Sequence, residues 1–449
     1  MNEKLSHPLH SPLDTDIIIV GGGLSGLTAA TYAARSGRTV TLFEKASEPG
    51  GRASTKQSNG FSLNLGAHAL YYQTEAGEVL RELGVAYSGK EPPTLFALAH
   101  DKLHILPQSP LALLRTTLLD ASAKLELLRV QATAMRINTL TLEKVSLSEW
   151  LEQHVRHPQV RALLLLLMRV TTYTNAPERL SAALFVDMLR EVPKVLYLDG
   201  GWQTLVNGLR HAAQSAGVRI VTSARVMTVE HEEHVQGVRL ANGEFYPAEA
   251  VIVATDPTEA SALVDSGKHA ALQRWAREAV PSYVACLDVA LRHLPEPRHL
   301  GVLSTERPLY MVVHSASAKL APEGGALIHT LRYLEPGERS DPKAIEQELE
   351  ALLDRVQPGW QREVVERQFL PHMNATNAIV QAQLGGLAGR PGPKVPGIRN
   401  LYVAGDWVGS AGQLTAAGLA SARQAARLAC EQTLSSTRST EAEYSYVRE

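Results

Sequence analysis

The sequence predicts an α/β fold: a doubly wound parallel sheet carrying an inserted α+β lobe. Three observations carry that expectation. The β-branched run Asp16-Ile-Ile-Ile-Val20 enters Gly21-Gly22-Gly23-Leu24-Ser25-Gly26 and opens into residues 27–35, alanine-rich and free of helix breakers. A second apolar run, 39–43, ends on the acid Glu44. Near the far end of the 449-residue chain a third run, 401–404, breaks into Gly405-Asp406. Strands that alternate with helices and end on glycine or acid fit a parallel sheet that binds its ligand at the strands' carboxyl ends.

Each element follows from its residues. Gly21, Gly23 and Gly26 provide a tight turn, close backbone approach to a pyrophosphate, and close helix-to-strand contact. Leu24 and Ser25 then offer free amides at the positive end of a helix dipole. The plainer alternative is a structural glycine turn. Glu44 stands about 20 residues past the middle glycine, where a carboxylate meets the ribose hydroxyls of an adenosine. Its alternative is a solvated strand end, and Lys45 belongs to the same edge. Asp406 either sits at the carboxyl edge of the sheet or caps the helix expected from Gln413 and Leu414 to Cys430. The two are compatible, because that helix would aim its positive end at the same ligand.

Further motifs sharpen the reading. Gly50-Gly51-Arg52 follows Glu44, Asn64-Leu-Gly66-Ala67-His68 comes next, and Gly200-Gly201-Trp202-Gln203-Thr204-Leu205 lies mid-chain. In this order, together with Gly405-Asp-Trp-Val-Gly409, they resemble the flavoprotein superfamily of amine oxidases, protoporphyrinogen oxidases and phytoene (carotenoid) desaturases. The flavour is nearest the desaturase branch, and the likeness spans roughly residues 15–430. It implies a Rossmann-like FAD-binding domain with a β-meander. Gly50, Gly51 and Arg52 would run beside the pyrophosphate and flavin, and Asp406 would meet the ribityl or phosphate part. The backbone of Val226 would touch the adenine, and Gly66, Ala67 and His68 would pass along the flavin ring. The FAD is expected to be non-covalent, since the covalent amine oxidases carry a cysteine near their last flavin segment and residues 405–418 have none. For Arg52 the alternative is a surface ion pair.

Composition bounds the rest. With 44 basic and 46 acidic residues the formal charge is −2, so nothing favours nucleic acid. The 2 cysteines, Cys286 and Cys430, form no CxxC pair and no disulfide framework, which suits the reducing cytoplasm. Residues 1–13 lack an apolar core and read as a tail, not a signal peptide; 435–449 read as a second tail. The cofactor domain is expected as three pieces, 14–75, 196–260 and 385–434. Between them lie the two parts of a substrate domain, 76–195 and 261–384. The run Ala162-Leu-Leu-Leu-Leu-Leu-Met168 is too short to span a bilayer and reads as a buried helix. Residues 103–128 mix leucines with Arg115 and Lys124; such a basic amphipathic stretch either rests on a membrane surface or packs as a lid over a pocket.

One glycine fingerprint implies one dinucleotide, so electrons would enter from an organic substrate and leave to oxygen or a quinone. His68 is the one candidate catalytic residue, as a base, a flavin contact or a substrate donor; otherwise it merely bonds backbone. Tyr71 and Tyr72 read as pocket wall. For Trp202 and Trp407, flavin-edge packing and plain core packing stand level. L-amino-acid oxidases carry a carboxylate-clamping arginine at the position matching Ala69, and alanine makes no bidentate contact. Arg169 and Arg332 are the substitutes to examine. The expected activity is dehydrogenation or desaturation of a largely apolar small molecule, isoprenoid or carotenoid-like. The alternatives are an amine or protoporphyrinogen oxidase releasing peroxide, and a flavin-holding protein without turnover.

Overall fold

The computed structural model describes residues 15–191 and 194–446, with side chains placed through Glu431. Five parallel strands form the first sheet: β1 (Ile17–Val20), β2 (Val40–Phe43), β3 (Arg219–Val221), β4 (Ala250–Val253) and β5 (Leu401–Val403). Their spatial order is β3-β2-β1-β4-β5. The β1 side chains alternate between two cores. Ile17 and Ile19 pack against α1 (Leu24–Arg35), the helix Gln203–Ser215 and the terminal helix α2 (Leu414–Tyr446). Ile18 and Val20 pack against an antiparallel meander of Val226–His231, Val235–Leu240 and Phe245–Pro247. The sheet is therefore buried on both faces, helices on one side and meander on the other. The Asn242-Gly243 turn of the meander forms as expected, with Gly243 at φ 88°.

A seven-stranded sheet makes the second lobe, and it draws strands from both insertions. Leu95–Ala99 pairs parallel with Gly301–Ser304, so the two sequence segments share one sheet. One face packs against the helices Ala121–Arg136, Leu147–His154, Pro158–Thr172 and Ala182–Arg190. The other is covered by Pro342–Val356, capped by the expected Asp341 side chain. Most of the leucine run 162–168 is buried in Pro158–Thr172.

Two expectations differ from the structure. Residues 103–128 form no single amphipathic element: a strand (Lys102–Ile105), a short helix (Pro110–Arg115) and the start of Ala121–Arg136 divide them. Pro107 and Pro110 break the periodicity, and Ser109 and Asp120 each cap a new helix. The terminal helix also continues to Tyr446, beyond the start of the expected tail at 435; no glycine or proline follows Gly418 to stop it. Residues 1–13 and 447–449 lie outside the described residues. Among the described residues no helix is long and apolar enough to cross a membrane.

Candidate active site

The carboxyl ends of the parallel strands open onto a cleft of about 610 Å³ shared by the two lobes. Strand β1 delivers the chain to Gly21, whose φ is 105° and where a Cβ would lie 2.8 Å from the Ala254 carbonyl oxygen. At Gly26 a Cβ would fall 1.8 Å from the Gly21 carbonyl oxygen, so α1 presses directly on the turn. At Gly23 a Cβ would meet nothing within 4 Å, and Gly23 lines the cleft with Leu24 and Ser25. The middle glycine thus keeps open the space that a pyrophosphate requires at a helix N-terminus.

The next segment docks on that turn. The Gly50 amide donates to the Gly22 carbonyl at 2.9 Å, and Gly50, Gly51 and Arg52 all reach the cleft. Glu44, at the end of β2, is 8% exposed and also lines it. One carboxylate oxygen accepts from the Gly22 amide at 2.6 Å and the other from the Ala46 amide at 2.7 Å. Lys45 pairs with Glu259 across the same edge at 2.7 Å.

Arg52 and Asp406 meet in the middle of the cleft. The guanidinium donates to the carboxylate at 2.9 Å, and the acid also accepts from the Thr376 hydroxyl, the Asn377 amide and the Asn377 side chain. Burial alone would raise the Asp406 pKa; the charge and hydrogen bond of Arg52, with the Asn377 bonds, hold it below the usual carboxylate range. Arg52 is in an ion pair, but with a cleft acid, and its side chain remains 46% exposed. Asp406 does not cap α2, because its oxygens are taken up by these four donors. The first turn of α2 still faces the cleft through Leu414, Thr415 and Leu419.

Some predicted residues stand elsewhere. Gln413 turns to the second lobe, donating to the Thr171 carbonyl at 3.3 Å. The Val226 side chain is buried in the meander core and is not among the cleft-lining residues. Gly66 supports from beneath, since a Cβ there would lie 2.6 Å from the Met373 sulfur. His68 reaches the cleft, but Nδ1 lies 2.9 Å from the Gly66 carbonyl and Nε2 3.2 Å from the Arg52 carbonyl. Burial lowers its pKa, the two backbone bonds opposing. Each ring nitrogen faces a backbone carbonyl and the neutral ring can donate to one of them, so the backbone-bonding reading fits His68 better than a base. Trp202 lines the cleft with its ring 4.8 Å from His68, whereas Trp407 is core, donating to the Thr255 carbonyl at 3.0 Å. Tyr71 is set behind the cleft, with its hydroxyl on the Thr171 carbonyl.

Other lining residues were not among those predicted. Thr255 and Asp256 follow β4, and the strand-end rule could have found them; Asp256 caps the helix Pro257–Ala262. Tyr173, Tyr283 and Met373 come from the second lobe and meet only through its fold. Tyr173 ends the helix Pro158–Thr172 at φ 55° and donates to the Ala67 carbonyl at 3.0 Å. Neither Arg169 nor Arg332 lines the cleft; Arg332 is held by Glu338 and Glu348. Behind the wall lies a buried polar layer: Asp288 with His329 at 2.7 Å, His314 over Tyr197, and the Tyr197 hydroxyl on that of Tyr310 at 2.7 Å.

Residues 24–430 match the family of flavin containing amine oxidoreductases. The chain belongs to that family. It is an FAD-dependent oxidoreductase, and the glycine turn, the open space at Gly23 and the Glu44 and Arg52–Asp406 edges fit such a cofactor. A curated relative, 4,4'-diaponeurosporene oxygenase of Staphylococcus aureus (strain USA300), is 26% identical over 336 residues. That match takes in 65% of this chain and 66% of the relative, just under two thirds of its length. Among solved structures, an oxidoreductase from Methanosarcina mazei has a TM-score of 0.70 at 18% identity, covering 91% of this chain and 100% of that one. Cyclohexylamine oxidase from Brevibacterium oxydans IH-35A has a TM-score of 0.68 at 14% identity, covering 94% and 99%. These likenesses show the same fold.

Proposed function

We propose that the protein dehydrogenates or desaturates a largely apolar small molecule, of isoprenoid or carotenoid type, with non-covalent FAD, and passes the electrons to oxygen or a quinone. One observation carries the reading. Every side chain that the second lobe contributes to the cleft wall is uncharged: Tyr173, Ala279, Pro281, Tyr283, Met373, Asn374, Ala375 and Asn377. The charged lining residues Glu44, Lys45, Arg52, Asp256, Glu259 and Asp406 all belong to the side that would hold the cofactor. A substrate bearing a carboxylate would leave a charge without a partner there, which is costly. Ala69 and the absence of Arg169 and Arg332 from the cleft wall point the same way, and the relative acting on a carotenoid agrees.

FAD, when bound, supplies the redox chemistry by accepting a hydride from a substrate carbon. The chain's own part is to orient and to exclude water. Trp202, beside His68, and Tyr173 both wall the cleft, and the hydrogen bond of Tyr173 to Ala67 keeps the 67–69 segment in place. The amides of the first α2 turn present positive potential to the cleft. No side chain in the wall is a well-placed base, so the reading requires none. An oxidase acting on an amine is the second reading, favoured by the fold shared with cyclohexylamine oxidase.

The test is anaerobic mixing of holoenzyme with a linear isoprenoid polyene, a primary amine and a porphyrinogen. Bleaching of the visible flavin absorbance by the polyene alone is expected. Bleaching by the amine or porphyrinogen, with none by polyenes, overturns the assignment.

A further inference from the structure

The exposed large hydrophobic side chains among the described residues are not scattered. Only Met227 and Phe245 lie outside residues 105–140. Within that stretch Leu114 is 76% exposed, Leu140 71%, Leu125 67%, Met135 65%, Leu111 56% and Leu128 53%. The helix Ala121–Arg136 accounts for this with two apolar faces. Ala123, Leu127, Val130 and Ala134 point inward at helical spacing and are buried. Leu125, Leu128 and Met135 repeat the same three-and-four spacing on the opposite side, facing solvent. A globular surface helix needs one such stripe; the second stays exposed among the described residues.

Charge decides what covers it. Arg115, Lys124, Arg129 and Arg136 flank the outer stripe, and none of them has a salt bridge among the described residues. Lys124 instead donates to the Leu114 carbonyl at 3.0 Å, which holds the short helix Pro110–Arg115 beside the longer one and joins their apolar faces. The neighbouring acids are turned to other uses. Glu126 accepts from the Arg156 and His157 amides, and Asp120 caps the helix and faces His157. The face is thus apolar at its centre with four cations beside it that form no ion pair among the described residues, on a chain whose formal charge is −2. A second copy of the same face would set cations against cations, whereas a leaflet of anionic lipid offers acyl chains and phosphates in the complementary arrangement.

We propose that the face built from Pro110–Arg115, Ala121–Arg136 and Leu140 docks the protein on an anionic lipid surface. The leucines and Met135 enter the acyl boundary, and the four basic side chains stay at the phosphate level. With no helix among the described residues able to cross, the protein lies on the membrane through this face. The inference stands apart from the substrate proposed above, because no residue of the face lines the cleft.

Flotation of the holoenzyme with two vesicle types tests it: pure phosphatidylcholine, and phosphatidylcholine with about a third phosphatidylserine. The holoenzyme is expected to float with the phosphatidylserine vesicles and to be released by high salt. The variant Leu125→Glu/Leu128→Glu should float at least tenfold less, with flavin content and melting temperature unchanged because both positions are exposed. Arg129→Glu/Arg136→Glu should erase the preference for phosphatidylserine. Wild-type protein that stays with neither vesicle overturns the proposal, as does flotation that Leu125→Glu/Leu128→Glu leaves intact. A wild-type dimer in sedimentation that this variant dissolves, without vesicle binding, would assign the face to a second copy instead.

Discussion

At the scale of single residues, the three fingerprint glycines are not equivalent, and the space around each says why. Gly26 has a carbonyl where its Cβ would go, so Gly26→Ala should destabilise the apoprotein by about 3 kcal/mol or more, read in urea unfolding. Glu44 and Asp406 act on the cofactor: Glu44→Ala and Asp406→Ala should each weaken FAD retention at least about tenfold in dialysis. Retained stoichiometric FAD in both variants would count against the assigned edges. A third prediction concerns acid. Burial, then the facing His329 and His68, drives the His314 pKa well below the ordinary histidine value. Below about pH 6.5 the unfolded chain takes a proton there that the folded protein does not. Stability should therefore fall as pH drops through about 6.5, and His314→Gln should flatten that part of the slope. A melting profile in which the variant keeps the wild-type slope contradicts this account. The glycines, Glu44 and Asp406 were legible because each answers to a short local pattern. Tyr173, Tyr283 and Met373 were not, since they become neighbours only when the second lobe folds.

At the scale of elements, β1 shows how much a short run can specify. Four β-branched residues ending on glycine predict a strand buried on both faces, and Ile18 and Ile19 indeed enter different cores. Ile18→Ala and Ile19→Ala should each cost about 2–5 kcal/mol in denaturant unfolding, one by loosening the meander and the other the helices. If either costs under about 1 kcal/mol, that face is not packed as described. The helix from Pro342 was equally legible, its Asp341 cap and first-turn proline being local signals. Residues 103–128 were not, because leucine spacing was weighed above Pro107 and Pro110. Of the outer stripe of Ala121–Arg136 the sequence reading included Leu125 and Leu128, inside 103–128, but not Met135, and it left membrane contact and a lid as alternatives. Which apolar side of a helix faces the core is decided by its neighbours, and spacing alone does not tell.

At the scale of the whole molecule, the cleft divides its chemistry between two lobes. The parallel sheet supplies the charged and amide-bearing edge that suits a dinucleotide, and the second lobe supplies an uncharged wall that suits an apolar substrate. The first half of that arrangement was readable from motifs spread over the chain. The second was readable only as an excess of leucine, most of which is core. The central claim is that FAD lies against the glycine turn in this cleft, and Gly23 tests it most directly. Its φ of −72° suits any residue and its Cβ direction is empty, so Gly23→Val should fold with an unchanged apoprotein melting temperature. Its side chain would occupy the pyrophosphate space. The measurement is bound flavin per chain after titration with FAD. The account predicts one FAD per wild-type chain and affinity at least about tenfold weaker in Gly23→Val, a loss of about 1.4 kcal/mol. Wild-type affinity in a well-folded Gly23→Val would place the cofactor elsewhere and contradict it.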